Sequence, residues 1–400
     1  MRVSNGRSLG ACLGLLSLLA LAGCSGESSS DAVAEDSQSS ASSGQANAST
    51  PAGGDDASFD FKIGIMTGTV SQGEDEYRGA ERMTRRYGAD HIRHVTYPDN
   101  FMTEQEAMIT QLLNLASDPQ VKALVIAQGV PGSMAAMKRI GELRPDILFF
   151  LYEPHEDPHQ LSEYADLSII PDNLKRGETI VQIAHDMGAK TFVHYSFPRH
   201  MSQELISRRV KIMEGKCREL GMEFVFSNAP DPTGDQGLPG AQKFILEDVP
   251  RVVEKYGQDT AFFSTNCGMQ EPLIRAVADL HAIMPEQCCP SPTHGYPGAL
   301  GIAISAEQAG DMEAIRNAIH EKVVAAGNTG RMATWPVSTG MMGIEALTEI
   351  AIQAVQGKVS VNDPAVVAAA LQEAADAKVT LLPFEGMDNY YMFLMDSVIF

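Results

Sequence analysis

The strongest constraint on the fold is an alternation, from Phe59 onward, of short apolar runs with segments of helical length. In the first part of this region the apolar runs are residues 61–66, 92–97, 121–127, 147–152 and 167–170. Strands separated by helices at this spacing form βαβ units around a parallel sheet. Runs that are apolar throughout are typical of strands buried on both faces. The pattern therefore predicts a doubly wound α/β lobe.

The same pattern restarts near residue 174. Apolar runs at 191–195, 222–226 and 261–264 alternate with helical segments, and weaker strands are predicted around 288–293 and 300–305. Helices over 340–355 and 364–377 and a strand-like run ending at 393 follow. The fold class is therefore α/β, with two doubly wound parallel-sheet lobes and a chain that returns after the second.

The first two dozen residues have the features of an export signal. Arg2 and Arg7 precede an apolar run over 9–22, which has the length of a secretory signal and is short for a membrane span. The run ends in Leu-Ala-Gly-Cys at 21–24, which resembles the lipobox of bacterial lipoproteins. We therefore predict a signal peptide over 1–23 and lipidation of Cys24. An ordinary secretory signal followed by an incidental cysteine is the alternative.

Residues 24–58 are mainly small and polar, and none of them is aromatic. Such a segment cannot bury enough apolar surface to offset the entropy of ordering it. We predict a disordered tether between the lipid and the folded region, which places the protein outside the cytoplasm with a lipid anchor as its only membrane contact.

The charge of the chain excludes some classes of partner. The sequence has 30 basic and 51 acidic residues and a formal net charge of −21. Because phosphate contacts need clustered lysine and arginine, a nucleic-acid partner is not expected. After Cys24 no stretch offers about 18 consecutive apolar residues, which excludes a multi-pass membrane protein.

Neither the cysteines nor one acidic segment of the sequence gives strong support for a metal site. The predicted folded region contains Cys217, Cys267, Cys288 and Cys289. Disulfides and free buried thiols are both compatible with export, and the absence of a Cys-x-x-Cys pair disfavours a zinc ribbon. Residues 153–159 hold two histidines and three carboxylates, but two prolines there forbid a regular helix with a shared ligand face. We expect a solvated acidic loop, no metal and no cofactor.

The lipobox, the apolar strand near the mature start, the two α/β lobes and the late return helix together resemble the type I periplasmic binding proteins. The nearest resemblance is to a bacterial lipoprotein family known only as a domain of unknown function. The resemblance implies three crossings between the lobes, near 172–174, 331–336 and 362–364. The first lobe would contain 59–173 with about 335–362, and the second 174–334 with about 363–400. It also implies a small-molecule ligand and an ABC transporter permease as partners.

Candidate ligand-binding residues follow from a general rule, since ligands of open parallel sheets bind beyond the carboxyl ends of the strands. In the first lobe these are Gly68, Thr69, Ser71, Gln128, Gly129, Tyr152, Glu153, Asp172 and Asn173; in the second they are Tyr195, Ser196, Arg199, Asn228, Asn266, Gly268 and His294; and Trp335 lies on a crossing segment. Arg199 could hold a carboxylate or phosphate. Asn173 could instead cap a helix, and Trp335 could either brace the hinge or stack on a ligand.

Three functions remain open at this point. The first is a solute-binding lipoprotein that closes on a small molecule and presents it to an ABC importer. The second is a lipoprotein of the same fold that reports its ligand to a membrane receptor. The third is a secreted enzyme that uses the cleft. No catalytic residue is predicted, because Gly-x-Ser-x-Gly, the P-loop pattern and His-Glu-x-x-His are all absent from the sequence.

Overall fold

The computed structural model describes residues 59–305, 308 and 310–400. The predicted signal peptide, the predicted lipidation site Cys24 and the predicted tether lie outside these residues. Within the described part, no helix combines the length and the apolar character that crossing a bilayer requires.

The first lobe is built around a seven-stranded sheet. Its elements along the chain are β1 (Lys62–Thr67), α1 (Val70–Tyr87), β2 (Ile92–Thr96), α2 (Gln105–Ser117), β3 (Val121–Ala127), α3 (Ser133–Leu143), β4 (Leu148–Tyr152), α4 (Pro158–Leu161) and β5 (Leu167–Pro171). Strands β1 to β5 pair in parallel in the order β5-β4-β3-β1-β2. The predicted doubly wound lobe is therefore confirmed.

The central strands are mostly apolar because both faces of the sheet are covered. Along β3, Ala123 and Val125 face one hydrophobic cluster, which α1 also lines. Leu124 and Ile126 face the opposite cluster, together with apolar residues of α2 and α3. Burial on both faces leaves no solvated position from Ala123 to Ala127, and the one charged residue of β3, Lys122, lies near the start of the strand, where it pairs with Asp146.

The second lobe repeats this plan on a smaller scale. Its elements are α5 (Asn173–Asp186), β6 (Thr191–Ser196), α6 (Pro198–Met201), α7 (Glu204–Glu219), β7 (Glu223–Asn228), α8 (Gly237–Tyr256), β8 (Thr260–Ser264), a 3₁₀ turn (Cys267–Met269), α9 (Gln270–Asp279), α10 (Tyr296–Leu300), α11 (Met312–Ala325) and β9 (Ala333–Thr334). Its parallel sheet has the order β7-β6-β8 and is extended by single bridges from Ala261 to Ile283 and from Met284 to Met332.

The last part of the chain corrects the predicted lobe boundary. It forms α12 (Thr339–Val355), α13 (Pro364–Ala375), β10 (Thr380–Pro383), β11 (Tyr390–Leu394) and β12 (Val398–Ile399). Strand β11 pairs in parallel with β5 of the first lobe, and β10 pairs antiparallel with β11. Only β12 returns to the second lobe, where it pairs with β9.

The third crossing therefore lies between β11 and β12, and the predicted crossing near 362–364 is wrong. The physical reason is that the apolar β11 covers the edge of β5, which would otherwise expose unpaired backbone groups. The apolar face of α13 packs in the same cluster as α12 and the first-lobe sheet. The first two crossings, between β5 and α5 and between β9 and α12, lie where they were predicted.

Candidate functional site

A cleft of about 70 Å³ lies between the two lobes, at the carboxyl ends of their strands. Its polar lining comes from both lobes: Gln72, Gln128, Glu153, His155 and Glu156 from the first, and Asn173, Arg199, His200, Gln203, Glu204, Arg209, Thr265, Asn266, Cys267, Cys288 and Cys289 from the second. The position is the one expected for a ligand site in open α/β sheets.

Backbone strain at two strand ends points side chains into this cleft. Gln128 directly follows β3 and has φ of 60°, and Glu153 directly follows β4 and has φ of 48°. Positive φ is uncommon for residues other than glycine, and such strain concentrates at functional sites. The side chain of Gln128 donates to Glu76 Oε1 at 3.1 Å, so the buried carboxyl of this α1 residue lies next to the first-lobe side of the cleft.

Three thiols and a histidine converge on the second-lobe side of the cleft. Cys267 Sγ lies 3.4 Å from the Sγ atoms of both Cys288 and Cys289. His294 Nε2 lies 3.6 Å from Cys288 Sγ. The Cys289 thiol donates to Glu153 Oε2 at 3.5 Å, and this contact reaches across to the first lobe.

Local hydrogen bonds explain why these cysteines meet. Asn266 Oδ1 accepts from the amide of Gly268 at 2.9 Å, which starts the 3₁₀ turn that carries Cys267 just beyond β8. The side-chain amide of Gln287 donates to the carbonyls of Ser291 and His294. The predicted strand over 288–293 is therefore absent, because this segment is a turn-rich loop that is tied to itself.

Two buried arginines hold this loop and the first crossing. Arg176 donates to the carbonyls of Gln287 and Cys288, each at 2.8 Å. Asn173 Oδ1 accepts from both Arg176 and Arg209. Arg209 Nε is buried and has no hydrogen-bond partner in the part of the chain that the structure describes. Burial, together with the nearby Arg176 guanidinium, lowers the pKa of Arg209 to about 9.

The thiols and carboxyls of the site have shifted acidities. Burial raises the pKa of Cys288, but hydrogen bonds from the other two thiols outweigh it and lower the pKa to about 5. Burial, reinforced by the neighbouring Cys289, raises the pKa of Glu153 well above its usual range. Burial likewise raises the pKa of Glu76 to about 8. Burial therefore favours the protonated forms of Glu76 and Glu153, whereas the neighbouring thiols favour the thiolate form of Cys288.

Two imidazoles that line the cleft stay neutral. Burial, helped by Arg199, lowers the pKa of His155 to about 3 and that of His200 well below its usual range. His200 Nδ1 lies 3.1 Å from Thr265 Oγ1, which also bonds to the hydroxyl of Ser196. Neutral imidazoles can accept or donate a hydrogen bond but do not add positive charge to the cleft.

Of the residues predicted from strand ends, five line the cleft: Gln128, Glu153, Asn173, Arg199 and Asn266. His294 lies beside them in the thiol cluster. Arg199 is held by Asp231 in two hydrogen bonds of 2.8 and 2.9 Å, so its charge is already paired. That these residues bind a solute stays a prediction.

The other predicted residues have structural roles around the cleft. Thr69 and Ser71 bond to Asp99 at the exposed rim. The remaining placements are as follows: Gly68 contacts Tyr97, Gly129 forms a turn against Pro154, Asp172 caps α5, Ser196 bonds to Thr265, Asn228 is exposed at the end of β7, and Gly268 lies in the 3₁₀ turn.

The large aromatic candidates do not reach the cleft. Tyr152 is fully buried against α12, where a Cβ on Gly343 would lie 2.2 Å from its ring. Tyr195 packs in the second-lobe core and donates to Asp248 at 3.0 Å. Trp335 is buried and donates through Nε1 to Glu286 at 2.7 Å, a contact that agrees with the hinge-bracing alternative. Ligand stacking by Trp335 is therefore not supported.

The acidic segment over 153–159 is not the solvated loop that was expected. Glu153 faces the thiols, and the Glu156 carboxylate accepts from the amides of Gly132 and Met134 at the start of α3. Asp157 accepts from two amides at the start of α4. These side chains are used for capping and for the cleft, because the prolines turn the segment back onto the lobe.

Several site residues were not predicted from the sequence. Cys267 and the adjacent pair Cys288 and Cys289 come from two separate segments, and neither their spacing nor a motif predicts that they cluster. Glu76 and Arg209 lie within the helices α1 and α7, where charged residues normally face solvent. The sequence signal that could have identified them is their position among the regularly spaced apolar residues of each helix, where a charged residue is unusual.

Replacing Glu76 with glutamine is expected to stabilise the protein at neutral pH. The folded-state pKa of Glu76 is raised, so its stabilising contribution is complete below about pH 4.5 and is lost as the pH rises through about 8. Glu76→Gln should therefore raise the free energy of unfolding by about 3 kcal/mol at pH 7 and change it little at pH 4.5. Denaturant unfolding at both pH values checks this, with the exposed Glu142→Gln as control. An equal effect at both pH values would contradict it.

Comparison with known proteins identifies relatives of this chain. Two proteins of Treponema pallidum (strain Nichols), both described as uncharacterised, are similar to this chain. One is 39% identical over 197 residues, which is 48% of this chain and 89% of the relative. The other is 34% identical over 221 residues, which is 55% of this chain and 100% of the relative.

Two solved structures are informative. A protein from Clostridium difficile 630, named as a candidate transcriptional regulator, is 26% identical with a TM-score of 0.70, covering 85% of this chain and 99% of that chain. The substrate-binding protein of a sugar ABC transport system from Bordetella parapertussis 12822 is 14% identical with a TM-score of 0.53, covering 86% of this chain and 89% of that chain. The fold is that of the type I periplasmic binding proteins, as the resemblance predicted.

The family is given by a match over most of the folded region. The model of the family described as "Protein of unknown function (DUF3798)" matches residues 61–333. This range is more than half of the chain and includes all of the cleft residues named above. The chain therefore belongs to the DUF3798 family.

Proposed function

We propose that this protein is an extracytoplasmic solute-binding lipoprotein, anchored through Cys24, that captures a small solute between its lobes and delivers it to an ABC-type importer. The observation that carries the proposal is the polar cleft at the carboxyl ends of both sheets, to which each lobe contributes charged or polar side chains. Enclosure between two lobes removes a solute from water on both sides, which is how such proteins hold small ligands.

Contacts between the lobes support a closed arrangement. The Thr293 hydroxyl of the second lobe donates to Asp75 Oδ1 of α1 at 2.7 Å. The Cys289 thiol donates to Glu153 across the cleft. Both contacts are few-atom polar contacts of the kind that a hinge can open and re-form.

The three crossings form a compact hinge around one buried carboxylate. Glu286 accepts from Arg176 at 2.8 Å, beside the first crossing. It also accepts from Trp335 at 2.7 Å on the second crossing and from Ser397 at 3.4 Å on the third. One side chain therefore links all three segments on which lobe motion would depend.

Two measurements test the proposal. Native mass spectrometry of the full chain, released from membranes without unfolding, should show a bound small molecule that denaturation releases. Crosslinking in intact membranes, followed by identification of the captured proteins, should recover an ABC permease. Recovery of a sensor kinase instead would favour the ligand-sensing alternative. Chemical conversion of the released molecule by the protein would favour a secreted enzyme.

A further inference from the structure

The thiol cluster has the composition and spacing of a metal site. Cys267 Sγ, Cys288 Sγ and a ring nitrogen of His294 lie within 4.8 Å of one another. Tetrahedral coordination, at about 2.3 Å from sulfur and about 2.0 Å from nitrogen, separates neighbouring donor atoms by about 3.5–3.8 Å. The observed separations of 3.4 Å between the two sulfurs and 3.6 Å between sulfur and nitrogen are close to these values.

The first lobe adds a further donor. The Glu153 carboxyl lies 3.5 Å from Cys289 Sγ, and Cys289 Sγ lies 3.4 Å from Cys267 Sγ. Sulfur and imidazole donors select soft or borderline cations, whereas hard cations such as Mg²⁺ and Ca²⁺ prefer an all-oxygen shell. A carboxylate from the opposite lobe could complete the shell only when the lobes are closed.

The size of the cleft agrees with a small occupant. Its volume is about 70 Å³, whereas sites for drug-sized organic ligands enclose about 300–1,000 Å³. A single ion with its donor atoms, or an ion with a few waters, fits this space.

We propose that the cleft binds one thiophilic cation of the Zn²⁺ class, with Cys267, Cys288 and His294 as ligands from the second lobe and Glu153 or Cys289 completing the shell on closure. This inference rests on the proposed function, because the ion is then the captured solute. Each thiol or carboxyl group that is protonated before it binds the ion releases that proton to solvent, and no electron is transferred. We expected no metal because we considered only residues that are close together in sequence. Cys267 and Cys288 are 21 residues apart and meet only in the folded chain.

Cobalt is a suitable probe because its thiolate complexes absorb visibly and it accepts the same tetrahedral shells as zinc. The reduced full chain, purified in detergent without oxygen and stripped with a chelator, is titrated with Co²⁺ alone. We expect one equivalent to bind with a thiolate-to-cobalt charge-transfer band. Zn²⁺ should displace it, because Zn²⁺ has no d-electron geometric preference to lose on entering a tetrahedral site.

Variants of the ligands and a matched cysteine control give the test its specificity. Cys288→Ser and His294→Ala should each weaken Co²⁺ binding by at least about 100-fold, since losing even an outer-shell partner of a metal costs about 10–100-fold. Cys217→Ser removes a buried thiol of α7 that packs in a hydrophobic cluster away from the cleft. The Co²⁺ affinity of this variant should therefore equal that of the wild-type chain. Circular dichroism of each variant confirms folding before titration.

Specific results would overturn the inference. One is the absence of Co²⁺ binding by folded protein whose thiols are shown to be reduced. Another is wild-type affinity in Cys288→Ser. A third is recovery, under oxygen-free isolation, of a disulfide between Cys267 and either Cys288 or Cys289, which would make the cluster a redox pair.

The failure of this inference is distinguishable from failure of the proposed function. If native protein carries an organic molecule while its reduced thiols bind no Co²⁺, solute capture stands and the metal assignment falls. If Co²⁺ binds tightly but crosslinking recovers no permease and no solute is released on denaturation, the ion is a resident structural ion, and its assignment as the captured solute is overturned.

Discussion

Glu286→Gln is expected to lower the free energy of unfolding by about 3–5 kcal/mol, as does the removal of one partner from a buried ion pair. The side chains of Glu286 and Arg176 are 1% and 0% exposed, so neither charge can be solvated once the other is lost. Glutamine keeps the shape but leaves the Arg176 guanidinium without a countercharge. The hinge should loosen as well, because the three crossings share this carboxylate.

Denaturant unfolding monitored by circular dichroism measures this effect. Glu321→Gln, on the exposed side of α11, is the matched control and should change stability by less than about 0.5 kcal/mol. Arg176→Met in the Glu286→Gln background should recover part of the loss, because the uncompensated charge is then removed. Equal stability of Glu286→Gln and Glu321→Gln would show that the ion pair does not support the hinge.

Trp335→Ala is expected to cost about 3–5 kcal/mol of stability through loss of a buried aromatic side chain. The ring is 1% exposed, packs edge-on against Phe393 with centroids 6.1 Å apart, and lies under the Arg176 guanidinium. Trp335→Phe keeps most of this packing but removes the donor to Glu286, so a smaller loss of about 1–2 kcal/mol is expected.

Thermal unfolding of the two variants separates packing from hydrogen bonding. Since Trp335 is the one tryptophan of the sequence, its emission should be that of a buried indole in the wild-type chain. An emission maximum typical of an exposed indole, or a stable Trp335→Ala variant, would contradict the hinge-bracing role.

Local sequence patterns predicted the strands but not which sheet each strand joins. Runs such as 121–127 can be recognised as strands because burial on both faces favours nearly continuous apolar residues. The run at 390–394 looks the same in either lobe, and only the unpaired edge of β5 decides its place. The predicted boundary at 363 failed for this reason.

Part of the candidate site could also be predicted from the sequence, namely the residues at strand ends. Gln128, Glu153 and Asn266 could be found because the ends of parallel strands meet at one edge of a sheet. The thiol cluster could not, since Cys267 and Cys288 come together only through the capped turn after β8 and the arginine-held loop before α10. Trp335 was placed on the right crossing, but its partner Glu286 lies 49 residues away.

Closure of the lobes on a solute is tested most directly by small-angle neutron scattering of the full chain in contrast-matched detergent. Three samples are compared: protein released natively from membranes, the same protein after unfolding, dialysis and refolding, and the refolded protein given back the small-molecule fraction that unfolding released. The radius of gyration should rise on stripping and return to its native value on restoration. The same radius in all three samples, with rebinding of that fraction demonstrated by calorimetry, would contradict a solute-binding protein that closes on its ligand.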